Sequence, residues 1–437
     1  MKNKLINNAV WIVGCKTLRA LLAVIITMLT ARYLGPEKYG TINYAAGLVA
    51  FVAPFMQLGL SAILVRELVN RPKEEGTVLG TVTGLNLLSS ALCIVGITAF
   101  VSIANAGEIE TILVCIIYSF LLIFQALEMV QYWFQAKLMS KYFAIATICA
   151  YLCTVLFQVF LLVTRKNVYW FSASNSIEYA VLALILLFVY KAKGGQKFSF
   201  SFIEAKKLLS VGRYYILAEL MVVIFAQTDK IMLKHMMDSA AVGYYAAAVT
   251  CANMFAFVFS AIIDSARPVI IEAKQSSNAE FEKKMTMLYS VIFYLALAVS
   301  CCITLFAPLI IKILYGAEYN AAIAPLRLIV WYIAFSLFGS VRNIWILAEK
   351  KQQYLWRINI CGAITNVILN AVVIPIWGVM GAALTSLVTQ IFTNVIVGFI
   401  IKPIRPNNKL MFLGMDFRMF VDLVKGVLNG TKNPDRK

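Results

Sequence analysis

Twelve apolar runs of 20 to 27 residues follow one another along the 437-residue chain, and their length decides what it can fold into. They lie at roughly 9–34, 41–64, 78–101, 111–135, 143–164, 170–191, 213–234, 241–265, 286–311, 321–347, 355–374 and 380–401. A helix rises 1.5 Å per residue, so about 20 residues cover the ~30 Å hydrocarbon layer of a bilayer. Lipid offers no hydrogen bonds, so a spanning backbone must satisfy itself as a helix or a closed barrel. The short alternating segments of a barrel are absent from the sequence. Hydrophobic residues make up 61% of the chain, against about 45–50% in soluble domains. The expected fold class is therefore all-α: a polytopic membrane protein with about 12 transmembrane helices.

The first run carries charge where lipid does not tolerate it. Lys16 and Arg19 sit mid-run, three residues apart, and share one helix face. Ala20, Ala23, Thr27 and Thr30 continue that face, while Leu21, Leu22, Ile25, Ile26 and Leu29 make the opposite side bulky and aliphatic. A cation near mid-membrane costs at least ~2.5–3.5 kcal/mol, so it persists only against protein, water or an anionic ligand. The spacing predicts a helix that shows two cations to an aqueous cavity inside a bundle; the alternative is a structural ion pair with an acidic residue of another helix, such as Glu178 or Glu128. Lys2 and Lys4 precede a run too long and too charged for a signal peptide, so an uncleaved first span is expected.

The net charge of +18 does not require nucleic acid. One side of the predicted topology collects Lys2, Lys4, Arg66, Arg71, Lys73, Lys137, Lys141, Lys191, Lys193 and Lys197, among others. The opposite side collects only Lys38, Arg165, Lys166, Lys234 and Lys312, together with Glu108 and Glu110. By the positive-inside rule both termini are expected in the cytoplasm.

The chain divides into two similar parts. A basic, glycine-containing stretch at 192–212 reads as a flexible cytoplasmic linker between a six-helix bundle at 1–191 and a second at 213–402. Tyr39-Gly40-Thr-Ile-Asn-Tyr-Ala-Ala46 opens the second run, and Val242-Gly243-Tyr-Tyr-Ala-Ala-Ala248 opens the eighth. Trp133-x-x-Ala136-x5-Tyr142 and Trp345-x-x-Ala348-x5-Tyr354 repeat at the ends of the fourth and tenth. Six runs per part is an even number, so the two halves should be parallel repeats around a central cavity near the midplane. The tail 403–437 is basic, and 410–428 has the spacing of an amphipathic helix lying on the cytoplasmic surface.

Signatures of catalysis are missing. His235 is the single histidine, there is no phosphate-binding loop, and Gly59-Leu-Ser61-Ala-Ile breaks the nucleophile-elbow pattern at its last position. The nine cysteines lie in apolar runs with no C-x-x-C spacing, which predicts free thiols. No enzyme, metal site or cofactor is expected. What remains is charge within the membrane. Arg327 lies near one end of the tenth run, and Arg342, near the other, is expected to snorkel. Asp229 precedes Lys230, and Asp264 stands three residues before Arg267, so each has a local partner in sequence. Glu178 is near mid-depth with no partner nearby in sequence, which marks it as a candidate proton or ion relay.

Ala31-Arg-Tyr-Leu-Gly-Pro-Glu-Lys-Tyr-Gly40 and Gln57-Leu-Gly-Leu-Ser-Ala-Ile-Leu-Val-Arg-Glu67 resemble the opening of the bacterial polysaccharide flippases of the Wzx type. Gln227-Thr-Asp-Lys-Ile-Met-Leu233, followed by Val242-Gly-Tyr-Tyr-Ala-Ala247, resembles their second-half signature. The likeness covers nearly the whole chain and extends to the superfamily that also holds multidrug exporters and the peptidoglycan-precursor flippase. It implies two six-helix bundles in the bacterial cytoplasmic membrane. It also implies alternating-access movement of undecaprenyl-pyrophosphate-linked oligosaccharides for surface polysaccharide such as O-antigen. Under that reading Lys16, Arg19 and Arg327 bind the substrate, and Glu178 and Asp229 relay a coupling ion, H⁺ or Na⁺. Membrane lipids surround the protein, and polysaccharide assembly proteins that dock on the cytoplasmic loops are further partners to look for. The alternative is a cation-coupled multidrug antiporter of the same superfamily, which would want an acidic pocket centred on Glu178 and Asp229. A membrane glycan polymerase would need larger external loops than these.

Overall fold

The first two apolar runs form one kinked rod, α1 (Lys2–Gln57), in the computed structural model. The break is at Gly35 (φ 72°, ψ 170°), a left-handed conformation that glycine takes without a Cβ penalty, and Pro36 then opens the next helical stretch. The backbone is described for residues 2–428. Side chains are described for Arg19 and from Leu22 to Lys425, except Tyr214, Ala218, Phe225 and 422–424.

The rest of the first unit comprises α2 (Ser61–Asn70), α3 (Glu75–Ala104), α4 (Ile109–Ser119), α5 (Leu121–Leu127), α6 (Gln131–Ala136), α7 (Ser140–Val163), α8 (Val168–Ala192), α9 (Phe202–Met236) and the start of α10 (Ser239–Ala252). The second unit holds the rest of α10, then α11 (Ala256–Ser276), α12 (Asn278–Leu314), α13 (Ile323–Ala348), α14 (Leu355–Ile391), α15 (Val397–Ile400), α16 (Arg405–Gly414) and α17 (Phe417–Leu428). α14 is a second kinked rod, broken at Gly378 (φ 54°, ψ −131°). The fold is all-α and polytopic. Among the described residues, nine stretches are long and apolar enough to cross a membrane, and α9 adds a shorter apolar run at Tyr215–Ile224. The breaks at Gly35 and Gly378 each divide one of the nine, which brings the segments into line with the twelve runs of the sequence.

Three local expectations are corrected. The second run stops at Gln57, where Leu58 (φ 52°) and Gly59 (φ 65°) turn the chain into the separate helix α2. The fourth run is not one helix but α4, α5, a 3₁₀ turn at Glu128–Val130 and α6. Serines serve carbonyls near the first of these breaks: Ser119 Oγ donates to Ile116 O (2.7 Å) and Ser90 Oγ to Leu122 O (2.9 Å).

The third correction concerns 192–212, which is not a flexible linker. α8 runs to Ala192, α9 starts at Phe202, and the residues between form an extended strap on α3. Gly76 N–H donates to Gln196 Oε1 (3.0 Å), Ser199 N–H to Gly76 O (3.2 Å) and Ser201 N–H to Thr81 Oγ1 (3.1 Å). The strap lies so close because Gly76 and Gly80, four residues apart, carry no side chain. A Cβ there would stand 2.3 Å from Lys197 O and 2.4 Å from Ser199 O. Ser201 then caps α9 by accepting from Glu204 N–H. Arg71 grips Glu204 with both terminal nitrogens (2.5 and 2.8 Å) and also reaches Glu67 (2.6 Å). The Arg71 hydrogen bonds hold the Glu204 carboxyl below the usual carboxylate range against the opposing effect of burial.

Packing groups Met1–Ala246 and Ala247–Lys437, so the boundary falls inside α10 rather than in 192–212. The reason is that α9 runs along α1 and touches α3 instead of standing apart from them. Gly40 and Gly243, which open the two matching motifs, meet in this first unit. A Cβ on Gly40 would lie 1.7 Å from Ser239 O, and one on Gly243 would lie 2.0 Å from Pro36 O.

The tryptophan motifs repeat in backbone detail. Leu138 and Lys350, each five residues past its tryptophan, are both left-handed (φ 55°). Met139 N–H reaches Phe134 O (2.7 Å) and Lys351 N–H reaches Ile346 O (2.9 Å), the six-to-one bond of a Schellman ending. Trp133 donates to Glu75 Oε2 (2.7 Å), whereas Trp345 lies under the Lys351 ammonium (4.5 Å).

The tail differs from the single surface helix expected. α16 buries Asn407, Asn408, Leu410 and Met411, with Tyr289 OH donating to Asn407 Oδ1 (2.8 Å). Phe417 and Phe420 of α17 pack on Tyr294 of α12 (ring centroids 5.8 and 4.4 Å). Residues 429–437 lie outside the described part.

Candidate functional site

Arg19 is anchored across the first unit to Glu178 of α8, with Nη2 to Oε1 at 2.6 Å. The two residues are 159 positions apart, so the partner that Glu178 lacks in its own stretch of sequence comes from α1. The pair is asymmetric: the Arg19 side chain is 40% exposed and that of Glu178 is 10% exposed. The guanidinium also stands over the ring of Tyr151 (5.3 Å to the centroid), a cation–π contact. A second carboxylate, Glu128 in the 3₁₀ turn, interacts electrostatically with Arg19 and accepts from Gln131 Nε2 (3.2 Å). One guanidinium therefore faces two carboxyl groups. It has five N–H donors, of which Glu178 occupies one. Lys16 belongs to the same helix by spacing, but its side chain lies outside the described residues.

The remaining predicted residues are placed as follows. Asp229 is buried (4% exposed) and accepts from the Tyr245 hydroxyl, with the neighbouring Lys230 ammonium acting on it electrostatically. Arg327 belongs to the second unit, near the start of α13. It is exposed and donates through Nε to Thr304 O (3.3 Å). Asp264 pairs with Arg267 (3.1 Å), as the spacing predicts. Arg342 does not snorkel. It is 5% exposed and donates through Nη1 to Thr393 O (2.7 Å) inside a π-helical turn at Phe392–Ile396.

A second ion pair was not legible in the sequence. Lys234, 8% exposed, donates to Glu108 Oε2 (2.6 Å) and Ser239 Oγ (2.8 Å). Beside it Tyr44 OH shares a hydrogen bond with His235 Nε2 (2.9 Å) and donates to Asn105 Oδ1 (3.1 Å). Burial pushes the Glu108 carboxyl up, but hydrogen bonds from Lys234, Thr111 and Asn105 bring it below its ordinary value. The signal available was the acid–base complementarity of the two sparsely charged connections that hold Glu108 and Lys234.

The sequence profile of the polysaccharide biosynthesis proteins matches residues 5–274, more than half of the chain. The chain belongs to the polysaccharide biosynthesis protein family. The match takes in α1 and α8, and so both partners of the Arg19–Glu178 pair. A curated relative, an uncharacterized membrane protein (MJ1068) of Methanocaldococcus jannaschii, is 24% identical over 236 residues. That alignment takes in 50% of this chain and 46% of the relative, so the chain spans about half the length of the curated relative it matches. Among solved structures, the lipid II flippase MurJ in an inward closed conformation superposes with a TM-score of 0.72 at 14% identity, covering 97% of this chain and 94% of that one. A multidrug resistance MATE family transporter of the MOP superfamily, in its inward-facing conformation, gives 0.66 at 16% identity, covering 90% and 95%. These structural likenesses establish the fold that this family member shares with membrane transporters.

Proposed function

We propose that this protein is a flippase that moves undecaprenyl-pyrophosphate-linked oligosaccharide repeat units across the bacterial cytoplasmic membrane for surface polysaccharide, by alternating access, with both termini cytoplasmic. The observation that carries the reading is a half-exposed guanidinium held within a membrane helix, in a chain of the polysaccharide biosynthesis family. A pyrophosphate cannot cross hydrocarbon without cations beside its path. Arg19, with Lys16 one turn away, supplies them, and the exposed Arg327 is a further substrate-contact candidate. Arg19 prefers Glu178 while that carboxyl is ionised. Protonating Glu178 frees the guanidinium for the pyrophosphate, so one proton is taken up with each substrate contact. Asp229, under the Tyr245 hydroxyl, is a second group that takes part in the ion relay.

A cation-coupled multidrug antiporter is the second reading, favoured by two carboxyl groups near one arginine, Glu178 paired with Arg19 and Glu128 interacting with it electrostatically. Deleting the gene separates the two. The flippase reading expects loss of surface glycan and lipid-linked repeat units left facing the cytoplasm. Normal surface glycan with raised sensitivity to cationic dyes would favour the antiporter.

A further inference from the structure

A cavity of about 190 Å³ opens within the first unit between α1, α4, α7 and α8, outside the charged pair. Its wall carries hydrogen-bonding groups without formal charge, notably Thr30, Asn43, Gln158 and Asn175, and three aromatic rings, Tyr39, Tyr118 and Phe171. Thr30 is 8% exposed, and its Oγ1 has no hydrogen-bond partner. A buried hydroxyl left in that state costs free energy that a ligand can recover. Gln158 donates through Nε2 to Ser174 Oγ (2.7 Å), which leaves its carbonyl oxygen to accept from a ligand.

From this composition we infer that the cavity is a binding subsite for one neutral saccharide ring. Hydroxyls and amides that both donate and accept, beside aromatic faces, match a ring that presents hydroxyls on its edge and C–H groups on its face. The alternatives fit less well. Liquid water occupies about 30 Å³ per molecule, so the cavity holds roughly six waters, far more space than a dehydrated monovalent cation fills. Among the described residues no acidic side chain lines it to favour a cationic drug, and its polar wall does not suit an apolar one.

The inference rests on the flippase reading and sharpens it. Asn175 of the cavity and Glu178 of the ion pair are three residues apart on α8, on one face of that helix. Charged and neutral sites thus follow each other along one helix in the order of a pyrophosphate followed by its first sugar.

The test uses full-length protein in nanodiscs, saturation-transfer NMR, and free glucose, galactose and N-acetylglucosamine as probes. At least one sugar should show saturable binding. Thr30→Val, which removes one hydroxyl at constant shape, should weaken it roughly threefold to tenfold, the worth of one hydrogen bond. Asn175→Leu should weaken it at least as much, with melting temperatures unchanged. Absence of binding by all three sugars, or equal binding by wild type and Asn175→Leu, overturns the subsite. So does occupancy by sodium or tetraphenylphosphonium that is lost in the same variants. If gene deletion abolishes surface glycan while no sugar binds, the subsite fails and the flippase reading stands. If surface glycan is unaffected, the flippase reading itself fails.

Discussion

Arg19→Ala and Glu178→Gln should differ in cost although they break the same ion pair. Nη2 and Oε1 are 2.6 Å apart, and unit charges about 4 Å apart at an effective dielectric near 20 attract by roughly 4 kcal/mol. Desolvation removes much of this, and hydrogen bonds to charged groups retain about 1.5–3 kcal/mol. The 40% exposure of Arg19 moves the pair toward the low end of that range. Arg19→Ala leaves a carboxyl with only 10% exposure and no cation, which approaches the ~3–5 kcal/mol of a broken buried pair. Glu178→Gln leaves a guanidinium that water can reach and an amide that still accepts its hydrogen bond, at a cost of about 1 kcal/mol. A double-mutant cycle on purified protein, read by equilibrium unfolding, should return a coupling of about 1–2 kcal/mol. The same Glu178→Gln variant should bind undecaprenyl pyrophosphate more tightly than wild type, because Arg19 no longer has an ionised competitor. Additive stabilities, together with unchanged pyrophosphate affinity, would refute the reasoning.

Gly40→Ala and Gly243→Ala should each lower the yield of monodisperse protein in size-exclusion chromatography, because their Cβ atoms would overlap Ser239 O and Pro36 O. Gly80→Val should lift the 196–201 strap from α3 and expose Lys197, seen as faster tryptic cleavage there than in wild type. Glu204 has a folded pKa below its unfolded value near 4.3, so its pairing with Arg71 stabilises the protein fully above that pH and is lost as pH falls through the folded value. Arg71→Gln should therefore destabilise the protein at pH 7 and have a shrinking effect below about pH 4, measured by melting at each pH.

Helix length and the repeated ending of the tryptophan motifs were legible in the sequence because both are local patterns. A run of 20 apolar residues has one solution in lipid, and the tryptophan motifs mark the same left-handed helix ending at Leu138 and Lys350. The partner of Arg19 was legible only as a choice between Glu178 and Glu128, since nothing in α1 specifies which of the two membrane carboxylates will lie opposite it; the structure pairs it with Glu178. The strap at 196–201 was hidden by its composition: lysine and glycine read as flexible, while the reason for its order sits 120 residues earlier at Gly76. The spacing of Gly76, Gly80 and Gly84 was the available signal, since glycines four apart clear a groove on one helix face. Arg342 was misread because snorkelling assumes free access to the interface. Instead, the π-helical turn of Phe392–Ile396 offers a carbonyl inside the protein.

Translocation itself tests the central claim most directly. Purified protein reconstituted in liposomes that contain undecaprenyl-pyrophosphate-linked repeat units should move them to the opposite leaflet, as read by a glycan-modifying enzyme added outside. Empty liposomes and those carrying Arg19→Ala should show little transfer. Transfer no faster than in empty liposomes, with protein that is folded and correctly inserted, would contradict the account.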